Sequence, residues 1–258
     1  MSDHKYALII GAFSINSRPT PKKYLTCIST WKYWCKKHNI DLILLDGNKE
    51  NVVDVVFGKW LDFDLYVDLE KYKGLAMADW DTIIRWDAPN FIEHFLNQKN
   101  FQVALTPDQG GSGKWHYDQW LKFDPNLYTY CSQYFNSGMI IAKPEVFKSL
   151  KDNMEIYYEF YITHKGKEFH PVGIGIEGGS RIDAPDQTPV NLIINKNFKN
   201  GLYLSPIEVN YMVPCHSKNF EDPNSYIEKA IVFHYGSANV NRTKVVENFW
   251  ERYKNNYS

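Results

Sequence analysis

The sequence predicts an α/β protein: a mostly parallel central sheet with helices on both of its faces. Short apolar runs recur along the chain without the in–out alternation of a half-exposed strand, among them Tyr6–Ile10, Leu42–Leu45, Leu75–Ala78 and Met139–Ala142. Runs of this kind suit strands buried on both faces. Stretches between them carry apolar residues three and four apart, the spacing of a helix with one buried face. Strand, helix and strand joined by short links also make a βαβ unit, whose two strands lie parallel.

In chain order, Lys5–Phe13 reads as a first buried strand ending at Gly11, followed by a polar loop with Pro19 and Pro21. Tyr24, Cys27, Ile28, Trp31, Trp34 and Cys35 mark the first helix, which His38-Asn39 ends. Ile40–Leu45 is the second strand, with a turn at Asp46-Gly47. A second helical stretch near Asp54–Lys71 leads to the strand that begins at Gly74. Ala88–Leu96 reads as a short helix with Pro89 at its start, and Phe101–Thr106 as another strand. Periodicity then breaks from Pro107 to Leu127, where Gly110-Gly111-Ser112-Gly113 precedes Lys114, Trp115, His116, Tyr117 and Trp120. The reading here is an irregular loop that meets a substrate.

Tyr134–Ala142 reads as a polar turn at Asn136-Ser137-Gly138 feeding a buried strand. Pro144 opens a long helix with Val146, Phe147, Leu150, Met154, Tyr157, Tyr158 and Tyr161 on one face. A Gly-rich loop, Gly173–Gly179, leads to a helix start at Asp186-Gln187, with the acid capping the first turn. Ala230–Ser237 is a last strand, and a C-terminal helix follows from about Thr243. With no internal repeat, low-complexity tract or linker composition, one domain is expected.

Composition excludes several classes. A net charge of −1 over 258 residues gives no electrostatic case for nucleic acid or an anionic membrane as the main partner. No run of apolar residues is long enough for a membrane span, and the N-terminus lacks the pattern of a signal peptide. Cys27, Cys35, Cys131 and Cys215 are scattered without metal-binding spacing, which suits reduced, buried thiols and a cytoplasmic protein. Aromatic residues reach 16%, a figure that fits a cleft stacking on sugar faces as well as a core.

Gly74–Ala78 runs straight into Asp79-Trp80-Asp81. On an extended chain Asp79 and Asp81 share one side and Trp80 takes the other. Two carboxylates so close repel unless a cation lies between them or one is protonated. A hard divalent ion with oxygen ligands is the natural occupant, at the carboxyl end of a strand where open α/β sheets bind ligands. Asp62-Phe63-Asp64 repeats the spacing, but its acids read as a solvated face.

Four segments stand in a fixed order: Asp79-Trp80-Asp81; Phe135-Asn136-Ser137-Gly138; Asp186-Gln187 with Asn191; and Phe233-His234-Tyr235-Gly236. Together they resemble the GT-A glycosyltransferases, in particular the glycogenin-like and bacterial galactosyltransferase-like retaining families. The resemblance spans roughly residues 5 to 245 and implies a Rossmann-like fold, with a nucleotide-binding half to about residue 106 and an acceptor-binding half beyond. It implies a metal held by Asp79, Asp81 and His234, Mn²⁺ with Mg²⁺ as the alternative, bridging the phosphates of a nucleotide-sugar. Asn136, Asp186 and Gln187 correspond to residues at the reacting centre. Ser137 and Gly138 approach the donor sugar, Gly11, Ala12, Phe13 and Asp46 hold the base and ribose, and Trp80, Gly236 and Ser237 flank the donor. UDP is the nucleotide implied, GDP the alternative, and a glycan or other hydroxyl compound the acceptor.

One departure stands out. In those families the His-Gly segment continues into Lys-Pro-Trp, whose lysine reaches the diphosphate, whereas here Ser237-Ala238-Asn239 follows. Lys244, Arg242 and Lys59 are the candidates to replace that charge. An inverting enzyme with Asp186, Asp108 or Glu177 as base, and a non-catalytic nucleotide-sugar or glycan binder, are the alternatives. A metal-dependent phosphohydrolase fits less well, because Gly11–Asn16 is not a phosphate-cradling loop.

Overall fold

A computed structural model describes residues 5–15, 22–50, 52–109, 113–121, 123–164, 186–213, 222–235 and 242–258. The loop expected at Gly173–Gly179, together with Glu177, Cys215, Gly236 and Ser237, lies outside the described residues. In chain order the elements begin with β1 (Tyr6–Gly11), β2 (Ser14–Ile15), α1 (Lys22–His38), β3 (Asp41–Leu45), β4 (Asn48–Lys49) and α2 (Val52–Leu61). Then come β5 (Gly74–Ala78), β6 (Thr82–Ile84), α3 (Phe91–Leu96), β7 (Val103–Pro107), α4 (Gly113–Trp120) and β8 (Phe135–Ala142). The remainder are α5 (Pro144–His164), α6 (Gln187–Asn197), β9 (Leu202–Leu204), β10 (Tyr211–Met212), β11 (Val232–His234) and α7 (Arg242–Tyr253).

The main sheet has six strands in the order β3-β1-β5-β8-β7-β9. Pairing of β1 with β3 and β5 is parallel, as is β7 with β9, while β8 is antiparallel to both of its neighbours. Alternate residues of the strands feed two cores. Ile9, Met77, Leu105 and Ile140 face α2, α5 and α6, packing with Phe57, Trp60, Phe147 and Ile193. Leu8, Ala76, Ala104 and Ile141 face the opposite way, toward Trp31 and Trp34 of α1 and Phe91 of α3. Both faces are covered, which is why these strands read as unbroken apolar runs. Asn39, at φ 55°, ends α1 in the left-handed conformation that asparagine tolerates.

A small sheet, β10-β11-β6, stands beside the main one over a third apolar cluster that includes Phe233 and Phe249. No helix among the described residues is long and apolar enough to cross a membrane. Cys27, Cys35 and Cys131 are buried free thiols.

Several expectations are corrected. The segment 107–127 is not wholly irregular: Gly113–Trp120 is a helix, with Tyr117 and Trp120 buried in the core. Trp120 packs on Phe123, Tyr157 and Phe160, so it is an anchor and not a substrate contact. The second helix stops at Leu61, and the chain continues in short 3₁₀ turns at Phe63–Leu65 and Leu69–Lys71. Asp62 and Asp64 do lie on a solvated face, where they pair with Lys49 and Lys151. Pro89 lies outside α3, whose N-cap is Asn90, accepting from the Glu93 N–H at 3.2 Å.

Candidate active site

The carboxyl ends of β1 and β5, the beginning of the antiparallel β8, the start of α6 and the end of β11 supply the site. β5 stops at Ala78, one residue before the acids. Asp79 and Asp81 therefore do not share a strand face; they flank a tight turn, closed by the Thr82 N–H and hydroxyl donating to the Asp79 carbonyl at 3.2 and 2.6 Å. Trp80 projects from that turn onto Tyr24 of α1, the rings stacked at 4.4 Å and 7°. β6 follows at once and pairs antiparallel with β11, which sets His234 opposite Thr82. The ladder runs on to Asp81, whose carbonyl accepts the Tyr235 N–H at 3.0 Å. Sheet pairing thus brings an imidazole beside acids that precede it by 153 and 155 residues.

One ligand atom from each of Asp79, Asp81 and His234 falls within 4.8 Å of the others. His234 Nε2 is 3.4 Å from Asp81 Oδ1 and 3.8 Å from Asp79 Oδ2. Donor atoms about 2.1 Å from one small divalent ion stand roughly 3–4 Å apart, a spacing that both His234 distances meet. Charge fits as well: the carboxylates of Asp79, Asp81 and Asp186 against the Lys59 ammonium leave two negative charges. Mixed imidazole and carboxylate donors suit a divalent cation.

Gly138 makes room for the imidazole. A Cβ there would lie 2.2 Å from His234 Cε1 and 2.5 Å from Nδ1, so only glycine lets the ring rest on β8. His234 Nδ1 is buried without a partner among the described residues, so the ring is held by packing on this glycine and by Asp81 at Nε2.

Lys59, buried on α2, ties two acids together. Its ammonium donates to Asp79 Oδ1 at 2.6 Å and lies 3.0 Å from Asp186 Oδ2. Burial alone would lower the lysine pKa, but Asp186 and Asp79 outweigh it and hold the ammonium charged. For Asp79, burial pushes the carboxyl above its ordinary range, against the pull of Lys59 and His234. Burial also works against a charged His234, yet Asp81 and then Asp79 raise its pKa overall.

Asp186 does not cap α6 with its side chain, contrary to the sequence expectation. Its Oδ2 accepts the Trp60 indole N–H at 2.8 Å besides facing Lys59, so the carboxylate is drawn back onto α2. Gln187 Oε1 accepts the Ser137 N–H at 3.1 Å. Asn191, one turn further along α6, clamps Phe135 by taking its N–H at 2.7 Å and donating to its carbonyl at 2.9 Å. Asn136-Ser137-Gly138 is accordingly not a free turn but the bulged opening of β8, with the register shift falling between Leu105 and Thr106 of β7.

Other expected positions lie further off. Gly11 packs on Lys59, whose Cβ would stand 3.3 Å from a Cβ at that glycine. Ala12 is buried, with its N–H bonded to the Leu45 carbonyl at 2.9 Å. Phe13 is 1% exposed, a core ring under Gly47 and Gly58, so it offers no stacking face. Asp46 is exposed at the carboxyl end of β3. Lys244 is exposed on α7 and lines a surface depression with Asp222, Asn248, Glu251 and Arg252, apart from the acidic cluster. Reading the sequence missed Trp60 and Asn210. Each is a buried residue in an apolar stretch, and nothing local marks it as a partner of Asp186 or of Asn136.

No protein-family model matches the chain, and no characterised protein matches it by sequence. By structure it is similar to a glycosyltransferase involved in the glycosylation of the major capsid of PBCV-1, at TM-score 0.54 and 9% identity, over 93% of this chain and 99% of that one. Mouse xyloside xylosyltransferase 1 aligns at TM-score 0.47 and 10% identity, over 89% of this chain and 96% of that one. The galactosyltransferase LgtC, in complex with donor and acceptor sugar analogues, aligns at 0.46 and 9%, over 97% and 99%. The last two overlap too loosely to add to the first. With five strands running one way and β8 against them, the architecture is the GT-A fold.

Proposed function

We propose that the chain is a metal-dependent glycosyltransferase. It moves a sugar from a nucleotide-diphosphate sugar, UDP-linked in the first instance, to a hydroxyl of a glycan or other acceptor, and it retains the anomeric configuration. The observation that carries this reading is the convergence of Asp79, Asp81 and His234 within 4.8 Å at the carboxyl end of β5, on a fold of this class. On this reading the residues to about 106 hold the nucleotide and the remainder supplies the acceptor side.

Asp79 Oδ2, Asp81 Oδ1 and His234 Nε2 would hold the ion. When bound, a divalent cation supplies Lewis-acid stabilisation of the negative charge that builds on the leaving diphosphate. Lys59 supplies one counter-charge shared by Asp79 and Asp186. The Asp186 carboxyl group is fixed in place, because Oδ2 is already committed to Trp60 and Lys59. Such a group is better suited to stabilising positive charge at an anomeric carbon than to swinging out to collect an acceptor proton, and this favours retention over inversion. Lys59, within reach of Asp79, replaces the missing Lys-Pro-Trp lysine better than Lys244 does.

The test is a thermal-shift screen of UDP, GDP, CDP and TDP, each with and without Mn²⁺. A ligand at 100 times its Kd stabilises the folded state by about 2.7 kcal/mol. The expected result is a shift with UDP that needs Mn²⁺ and disappears in Asp81→Asn, followed by transfer or hydrolysis of a UDP-sugar. Metal-dependent UDP binding without turnover of any UDP-sugar would make the chain a nucleotide-sugar binder. No metal-dependent shift with any nucleotide would overturn the proposal.

A further inference from the structure

We infer that Asn210 is a positioning residue for the proposed sugar donor: it locks the Asn136 carboxamide so that Asn136 offers a ligand its NH₂ group and not its oxygen. This rests on the function proposed above and adds the hydrogen-bonding polarity of one wall of the site.

The orientation follows from a backbone group. The Gly138 N–H can only donate, and it lies 2.8 Å from the Asn136 side chain, so the atom it meets is Oδ1. The Asn210 atom 2.8 Å from the same oxygen must then be the donor Nδ2. Two donors fill Asn136 Oδ1. Among the described residues its NH₂ has only the Met212 sulfur at 3.8 Å, a weak acceptor, and so keeps hydrogen-bonding capacity for a ligand. Asn210 Oδ1 is buried without a partner among the described residues, so Asn210 is held at this position for its donor alone.

Asn210 is itself fixed from outside the cluster. The Gln109 side chain donates to the Asn210 carbonyl at 2.8 Å and accepts the Met212 N–H at 3.3 Å. Met212 pairs in register with His234. The segment that aims Asn136 is therefore stitched to the strand that carries the imidazole. Asn136 also borders the acidic cluster: a Cβ on Gly138 would be 2.9 Å from Asn136 Oδ1 and 2.2 Å from His234 Cε1. A sugar attached to a diphosphate at that cluster would meet an N–H donor here, which calls for an acceptor oxygen in that part of the sugar.

The experiment compares UDP with UDP-glucose, UDP-galactose, UDP-xylose and UDP-N-acetylglucosamine by calorimetry in Mn²⁺, using the full chain. Asn210→Leu keeps the branching and number of side-chain heavy atoms and removes the donor, and Asn210→Ala is the second variant should the first not fold. The variant is expected to bind UDP as the wild type does, and to bind the preferred UDP-sugar about tenfold more weakly, the loss of roughly one oriented hydrogen bond. A merely structural role would weaken UDP and the UDP-sugar together, and that result, or an unchanged ratio, overturns the inference while leaving the proposed function standing. A wild-type chain that binds no nucleotide with Mn²⁺ removes the proposed function, and the inference falls with it.

Discussion

Gly138→Ala presses hardest on the imidazole, and less closely on Asn136 Oδ1, which a Cβ would meet at 2.9 Å. A Cβ at that position would sit 2.2 Å from His234 Cε1, whereas ordinary contact begins at 3.4 Å. Subtracting one from the other, the ring must retreat by 1.2 Å or turn away. Metal–ligand distances tolerate shifts of only about 0.2 Å, so His234 would leave the ligand set. Losing the orientation of one ligand should weaken Mn²⁺ binding about 10- to 100-fold. Gly138 lies within a strand, where alanine is allowed, so the metal-free fold should stand. The assay is titration of Mn²⁺ followed by the electron paramagnetic resonance signal of the free ion, alongside His234→Ala. The two variants should lose affinity to a similar degree. Wild-type affinity in Gly138→Ala would refute the packing argument for the imidazole, and collapse of the fold would show that the clash is not confined to the ring.

Two further outcomes test the electrostatics. Lys59→Met leaves Asp79 and Asp186 facing each other without their shared cation; breaking a buried pair in this way should cost about 3 kcal/mol, or roughly 6–12 °C in melting temperature, and Mn²⁺ should recover part of it. The metal-free protein should lose stability as pH rises, because His234 and Asp79 both have raised pKa values in the folded state and so bind more protons folded than unfolded. For His234 the contribution is complete below its unfolded value and disappears as pH climbs through the higher folded one. Affinity for Mn²⁺ should run the other way, rising with pH as the same protons leave. Melting curves from pH 5 to 8, with and without Mn²⁺, check both slopes, and parallel curves would contradict the shared site.

Where the sequence was informative, a local pattern carried the information. Ile9, Met77 and Ile140 belong to strands buried on both faces, and such strands announce themselves as apolar runs. The acids announce themselves too, since Asp79 and Asp81 follow such a run directly. His234 could be joined to them only through resemblance, because strand pairing does the joining and leaves no trace at either position. α4 escaped notice behind Gly110–Gly113, which reads as loop, although Tyr117 and Trp120 are core residues. Asp186 looked like a helix cap because acids usually are at that position. Its true partners, Trp60 and Lys59, come from a helix more than a hundred residues earlier. Asn210 was invisible for the same reason: its purpose lies in Asn136, 74 residues away.

The pairing of β6 with β11 also bears on how the protein is made. Chains emerge from the ribosome at about 5–20 residues per second, so the 153 residues from Asp81 to His234 take roughly 8–30 s to appear. Throughout that interval β1, β3 and β5 can already pair, and the two acids stand at the edge of a young sheet without their histidine. Lys59 precedes Asp79 in the chain and packs from α2, so the nascent protein carries a counter-ion for the first acid before it has the means to complete the cluster. The same lysine that links Asp79 to Asp186 in the finished molecule is thus present for the earliest stage of its assembly.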